Sequence, residues 1–162
     1  MNIRGSRTLD APRDAVFAAI CDPDVLLGVI PGCSDIEQVS EDEYHGQISL
    51  RLPGFAGTYG TVVRLVDADA PRFGRLEGRV TGALGSINGH ASFRLEDVAG
   101  RTTVEFDGIA TIDGPLARLD NRFVEGLAGS LVQQGLGNLE KRLRQPGAPR
   151  GTDGASAIKE RT

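Results

Sequence analysis

Tryptophan is absent from the 162 residues, methionine occurs once, and cysteine, histidine and tyrosine occur twice each. Cys21 and Cys33 stand twelve positions apart with no Cys-x-x-Cys pair and no nearby histidine, so no metal site is expected. Both are read as small buried hydrophobes rather than as a disulfide or a reactive thiol. No apolar run approaches the roughly 20 residues of a membrane span. The opening MNIRGSRTLD lacks the apolar centre of a secretory leader, so a cytoplasmic location is expected. Basic residues number 18 against 22 acidic, a net charge of −4, and no basic cluster alternates with aromatics. Nucleic acid is therefore excluded as a partner. The length suits one domain with one core and leaves no room for a catalytic domain beside an accessory one.

What is present in quantity is glycine, 22 residues, and a single long helical pattern near the end of the chain. Within 115–144, Leu116, Leu119, Phe123, Leu127 and Leu131 recur at spacings of three and four, which places them on one helix face. Pro115 suits a first turn, and Lys141, Arg142 and Arg144 suit the negative end of the helix dipole. Thirty residues at ~1.5 Å each would span roughly 45 Å, more than one small core needs. In the second half the apolar set becomes Ala128, Val132, Leu136, Leu139 and Leu143, turned away from the first. The helix is expected to bend or to serve two surfaces, the bend being preferred because Gly126, Gly129, Gly135 and Gly137 lie inside it.

Upstream, 2–9 reads as a strand. Asp10-Ala11-Pro12 starts a short helix through Ile20, with Asp10 as cap, and Asp22-Pro23 starts a second over 24–29, stopped by Ile30-Pro31-Gly32. From Cys33 the apolar period becomes two, and turn residues divide the chain into strands at 33–40, 43–52, 57–68, 73–81, 86–97 and 101–112. Each turn is short enough for a hairpin, which makes the sheet antiparallel. The sequence predicts an α+β fold, a seven-stranded antiparallel sheet curled around the long helix, over residues 1–144. Residues 145–162, rich in Gly, Pro and charge without period, are expected to form a disordered polar tail.

Alternation assigns the faces. Tyr44, Gly46, Ile48, Leu50 and Leu52 point inward from one strand, and Tyr59, Thr61, Val63 and Leu65 from the next. Leu76, Gly78 and Val80 follow, then Ile87, Gly89, Ala91, Phe93 and Leu95, and finally Val104, Phe106, Gly108, Ala110 and Ile112. Gly46, Gly78, Gly89 and Gly108 thus fall on the concave face of four strands, either to let a curved sheet bend or to leave a cavity under the helix. The expected lining is Tyr44, Ile48, Leu50, Tyr59, Val63, Leu76, Gly78, Gly89, Phe93 and Phe106, with Phe123 and Leu127 from the helix. Phe55, at a hairpin tip between Gly54 and Ala56, and Ile30 are placed at the cavity mouth or at a partner contact, with Phe55 also able to cap the local core or touch a membrane. His45 and His90 fall on the outer polar face, and no nucleophile–base pair or inward carboxylate pair can be assembled, so neither a catalytic residue nor a metal ligand is assigned. A tyrosine hydroxyl can orient a ligand or satisfy a backbone group.

Element order and residues together resemble the START-like, Bet v 1-type helix-grip superfamily that includes polyketide cyclases, and more narrowly the CoxG family, named for the G-subunit of carbon monoxide dehydrogenase. The residues that carry this are Ala11-Pro12 with Val16, Asp22-Pro23, Ile30-Pro31-Gly32-Cys33, Gly78 with Gly82 and Gly85, Gly89-x-Ala91 with Leu95, Gly100-x-Thr102, and Gly114-x-Leu116-Ala117 with Leu119 and Arg122. The resemblance covers about residues 1–143 and implies a non-enzymatic accessory protein of a molybdenum-containing dehydrogenase, connecting that enzyme to the membrane. Joined to the apolar cavity, it suggests a quinone or similar isoprenoid lipid as ligand, with transient contact at the inner face of the membrane. Two alternatives stand beside it. One is a polyketide cyclase or dehydratase type of enzyme using Tyr44 or Tyr59, and the other is a ligand-free adaptor using Phe55 and the helix's second stripe as contacts.

Overall fold

The computed structural model describes residues 1–51 and 56–144. Strand β1 (Asn2–Leu9) is followed by helices α1 (Arg13–Ile20) and α2 (Pro23–Val29), then by β2 (Cys33–Ser40), β3 (Glu43–Leu50), β4 (Gly57–Asp69), β5 (Phe73–Gly82), β6 (Gly85–Val98) and β7 (Arg101–Asp113). A 3₁₀ turn (Gly114–Arg118) leads into helix α3 (Asn121–Arg144). The seven strands form one antiparallel sheet in the order β1-β7-β6-β5-β4-β3-β2, so the first strand returns to pair with the last. Expected strand limits hold to within two residues, and the proposed tail, with Leu52 and Phe55, lies outside the described residues.

Two local expectations are corrected. Asp10 does not cap α1: its backbone N–H donates to Glu140 Oε2 at 2.7 Å, and Pro12 occupies the cap position without a side-chain bond. By contrast Asp22 caps α2 as expected, accepting from the Asp24 N–H at 2.9 Å. The long helix is also not continuous from Pro115. Leu119 is extended (ψ 152°), and Asp120 then starts a new helix, its carboxylate accepting from the Arg122 N–H at 2.8 Å. This break resets the phase. Val124 is buried at 2% exposure while Phe123 is 42% exposed, so Phe123 does not face the core.

From Asn121 the helix runs unbroken, and the two apolar stripes merge into one band from Val124 through Leu127, Ala128, Leu131, Val132, Gly135 and Leu136 to Leu139. There is no second apolar surface of the kind expected, because Ala128, Val132, Leu136 and Leu139 face the sheet. Gly137 receives the Arg7 guanidinium, and Gly135 lies under Val29 and Pro31, whereas Gly126 and Gly129 have open space beside them.

Packing divides into two clusters at the two ends of α3. One joins Leu9, Val16, Val25, Val29, Phe93, Leu95, Val104 and Leu139, and the other joins Tyr59, Leu116 and Val124 with partly buried neighbours such as Met1 and Leu84. Four of the resemblance motifs work as ties to backbone around these clusters. Thr102, fully buried, donates its hydroxyl to the Ala11 carbonyl at 2.7 Å, which joins Gly100-x-Thr102 to Ala11-Pro12. Gly114 lies with φ +82° against the backbone of Gly85, and the Leu116 N–H donates to the Leu84 carbonyl at 2.9 Å.

The helix phase is testable. Val124→Asp places an unpaired carboxylate in the buried cluster and should destabilise the fold by at least about 3 kcal/mol. Phe123→Asp, one residue away, should cost no more than about 1 kcal/mol. Urea denaturation of the two variants distinguishes this phase from the one a continuous helix would impose.

Candidate functional site

The concave face of the sheet and the apolar band of α3 do not close on one another. Between them lies a cavity of two lobes, about 420 Å³ and 400 Å³, joined along Ile3, Ile20, Val80, Ile87, Ala110, Val132 and Leu136, which line both. The first lobe is walled by the end of α2 with Ile30 and Pro31, by Ile48 and Leu50 of β3, by Tyr59 of β4, and by α3 from Val124 to Leu139. The second lies over β5, β6 and β7, between Val63, Leu76, Phe93, Val104 and Phe106.

The sequence explains why the second lobe is open. Register pairs Gly78 with Gly89, Gly89 with Ala110, and Ala91 with Gly108, so five adjoining inward positions of three strands carry no more than a methyl group. Backbone therefore forms the floor, which is why His90, Ser92 and Asp107 border the lobe although His90 and Asp107 are exposed on the outer face. The bulky rings sit at the periphery, each over a glycine of a neighbouring strand. A Cβ on Gly5 would lie 2.8 Å from the Phe106 ring and one on Gly82 2.7 Å from the Tyr59 ring, and Gly74 stands under Phe93 in the same way. Of the four concave glycines, Gly78 has ordinary contact distances around it, whereas Gly46 backs onto the bulged edge strand with Asp35 O 2.8 Å from where its Cβ would be. Gly89 is held against the backbone of Ile109 and Ala110. Curvature and vacant space are both present, at different glycines.

Ten of the expected lining residues border the cavity: Ile48, Leu50, Tyr59 and Leu127 the first lobe, and Val63, Leu76, Gly78, Gly89, Phe93 and Phe106 the second. Ile30 also borders the first lobe, while Phe55 lies outside the described residues. Tyr44 does not border it. Its hydroxyl donates to the Cys21 carbonyl at 2.7 Å, a backbone-satisfying role that fixes β3 to the end of α1. Phe123 does not border it either, for the phase reason given above. Sequence reasoning missed Met1, Ile3 of the first strand, Ile20 and Leu26 of the short helices, Pro31, and the assignment of Ala128, Val132 and Leu136 to this surface. Inward alternation along 2–9 would have found Ile3.

The turn before β2 is built by Gly32. With φ +78° and the Ser49 carbonyl against its α-carbon, it admits no side chain, and its own carbonyl accepts from the Ser49 N–H at 2.8 Å. That bond holds Ile30 and Pro31 at the cavity wall.

Polar chemistry in the cavity is sparse. Tyr59 is 2% exposed, and its hydroxyl has no hydrogen-bond partner among the described residues. Thr61 Oγ1 is likewise buried and unpartnered but does not border either lobe. Burial raises the pKa of Tyr59, and burial followed by the neighbouring Cys21 and Asp22 raises that of Tyr44. Burial also raises both thiols, and Cys21 and Cys33 are free and only half-buried. Outside, His45 Nε2 lies 2.6 Å from Glu43 Oε2 on the exposed face. Among the described residues no three His, Cys, Asp or Glu side chains gather as a metal site, and no helix is long and apolar enough to cross a membrane.

A curled antiparallel sheet gripping a C-terminal helix over an apolar cavity is the helix-grip fold of START-like and Bet v 1-type proteins. Residues 5–144 match the family model for the carbon monoxide dehydrogenase G-subunit (CoxG), and the chain belongs to that family. A search of curated proteins finds no match. Among solved structures, a conserved protein from Geobacillus kaustophilus superposes with a TM-score of 0.84 at 23% identity, over 88% of this chain and 95% of that one. A START superfamily protein from Mycobacterium smegmatis gives 0.71 at 10% identity, over 89% and 97%, and Ara h 8.0201 gives 0.65 at 12%, over 88% and 97%. At these identities the likeness is one of fold.

The two kinds of concave glycine should respond differently to a methyl group. Gly78→Ala should change stability by less than about 0.5 kcal/mol, whereas Gly89→Ala drives a methyl into the β7 backbone and should cost about 1–3 kcal/mol, measured by thermal melting. The tyrosines should make the fold sensitive to alkali. In the unfolded chain they ionise near pH 10, and in the folded protein later, so their contribution is complete below about pH 10 and is lost as pH rises toward the folded values. Tyrosinate absorbance should therefore rise together with the loss of circular dichroism, not ahead of it.

Proposed function

We propose that this protein is a non-enzymatic accessory protein of a molybdenum-containing dehydrogenase of the carbon monoxide dehydrogenase type. In this reading it carries a quinone or similar isoprenoid lipid in the sheet–helix cavity and links the enzyme to the inner face of the cytoplasmic membrane. The observation that carries the reading is the cavity. Each lobe falls within the roughly 300–1,000 Å³ of small-molecule sites, and the walls are almost wholly aliphatic and aromatic. The description of the family supplies the partner enzyme as a proposal, and the apolar walls supply the ligand class. A dehydrogenase that feeds a respiratory chain needs a route to a membrane-dissolved acceptor, and a lipid-binding accessory protein offers one.

The polyketide cyclase alternative needs an acid or base facing the substrate. Tyr44 is engaged with a backbone carbonyl, and among the described residues no ionisable side chain stands beside Tyr59 on the wall of the first lobe, so neither forms an acid–base pair there. A ligand-free adaptor would require a filled core, which two lobes of this size oppose.

Native mass spectrometry of protein from its own host, with organic extraction, tests the proposal. A bound neutral lipid and co-purification with a molybdenum dehydrogenase are expected. Ala110→Phe, which fills the junction of the two lobes, should reduce quinone binding at least about tenfold without loss of the fold. Protein that releases no lipid and shows no saturable quinone binding would refute the carrier reading.

A further inference from the structure

The two lobes differ in shape as well as in position, and the difference assigns the two parts of an occupant, an inference that rests on the carrier reading above. In the second lobe the floor is backbone. Gly78, Gly89 and Ala110 sit side by side on β5, β6 and β7, and Ala91 lies beside Gly108 in the next inward row. Neighbouring strands are about 4.8 Å apart and inward positions about 6.7 Å apart along a strand, so these α-carbons frame a low patch of about 10 Å by 7 Å. Larger side chains raise its rim. Val80 and Ile87 pair at one end, Phe93 and Phe106 at the other, and Val63 and Leu76 flank it toward β4.

The first lobe has no such floor. Branched side chains project into it from α2, β3 and α3, among them Leu26, Ile48, Leu50, Val124 and Leu127. A rigid plane packs poorly on an uneven wall, because atoms held off by about 0.5–1 Å forfeit a quarter to a half of their dispersion attraction. A flexible branched chain adapts to the same wall by rotating about its bonds. Over the glycine floor the preference is reversed, since a plane of fused rings touches it across a whole face. The lobes meet where Ile87, Ala110 and Val132 border both, so one molecule can occupy the two together.

We propose that the second lobe seats a planar fused-ring head, lying on the row Gly78, Gly89 and Ala110 beneath Val132 and Leu136, and that the first lobe takes a branched aliphatic tail. The ligand class is thereby narrowed to lipids that join one flat ring system to an isoprenoid chain. Gly78 controls the ring seat. A Cβ there would meet its nearest neighbours, the Val62 carbonyl and a Val63 methyl, at an ordinary 3.7 Å, and a longer side chain would extend into the space the ring needs.

The test uses the full chain and three probes: 2-methyl-1,4-naphthoquinone as the ring alone, farnesane as the branched tail alone, and the same naphthoquinone carrying a farnesyl chain. Affinities are read by displacement of a polarity-sensitive fluorophore. Wild-type protein should bind the joined molecule at least about a hundredfold more tightly than either part. Gly78→Val should weaken the ring alone by at least about fivefold, the lower end of an overpacking cost, and change farnesane affinity by less than about twofold. Ala128→Phe, which narrows the first lobe and not the second, should do the reverse. In the wild type, nuclear Overhauser contacts should join ring protons to the Ala91 methyl and tail methyls to the Ala128 methyl, a readout independent of how either variant folds. Ring contacts to Ala128, or an equal loss of both parts in both variants, overturns the seating while the carrier reading stands. Failure of every probe to bind wild type overturns both.

Discussion

The exposed edge of β1 is what holds α3 where it is. An edge strand presents unpaired N–H and C=O groups at alternate residues, and these must be covered or solvated. Here α3 covers them with side chains: Glu125 accepts from the Asn2 N–H at 2.7 Å, Gln133 donates to the Ser6 carbonyl at 3.2 Å, and Glu140 accepts from the Asp10 N–H at 2.7 Å. The spacing matches. Four strand residues advance about 13 Å, and seven or eight helical residues advance about 10–12 Å, so helix and strand run side by side in step. Val124 and Leu139, each the neighbour of an anchoring glutamate, enter the two buried clusters. Asn138 adds a bond from its amide to the Val29 carbonyl at 3.0 Å, which fixes α2 to the same helix. A helix packed by apolar surface alone would slide until the void beneath it closed, because dispersion favours the denser arrangement. Polar bonds at three points along one sheet edge resist that movement, and α3 approaches the sheet closely along β1 rather than over its centre.

The rest of the interior follows from where the large side chains are placed. Phe106 lies over Gly5, Phe93 over Gly74 and Tyr59 over Gly82. A ring over a cross-strand glycine shields backbone that would otherwise be bare, and it keeps the ring down against the sheet instead of projecting into the space under the helix. At the centre, Gly78, Gly89, Ala91, Gly108 and Ala110 provide nothing that could project. Rings at the periphery and small residues in the middle give walls and a floor, and the helix supplies the roof.

Much of this was legible in the sequence, for physical reasons that can be named. A strand pattern of period two fixes the faces once one face is buried, so Leu76, Gly78, Gly89, Phe93 and Phe106 were placed on the cavity side from alternation alone, and the structure keeps them there. The helix was harder. Leu116, Leu119 and Phe123 fit one helical phase, but Asp120 caps a new start, and a cap interrupts phase without interrupting hydrophobicity. The Asp120-Asn121 pair after a proline-initiated turn was the available signal. Tyr44 was misplaced because alternation gives the side of the sheet and not the reach of a hydroxyl, and this one reaches the end of α1. Val132 and Leu136 join Ile3 at this surface only through the pairing of the first strand with the last and the helix beside it, and such long-range pairing leaves no local trace.

The size of the cavity bears on stability as well as on function. Apolar walls without packing partners forfeit dispersion contacts, and a lobe of about 420 Å³ between sheet and helix leaves much of its aliphatic lining in that condition. Water offers little relief, since an apolar wall with one tyrosine hydroxyl gives it too few partners. A bound lipid would restore the missing packing and add its binding free energy to that of folding. The polar anchors that keep α3 beside β1 keep the cavity open, and under the carrier proposal loading and stability would form a single equilibrium.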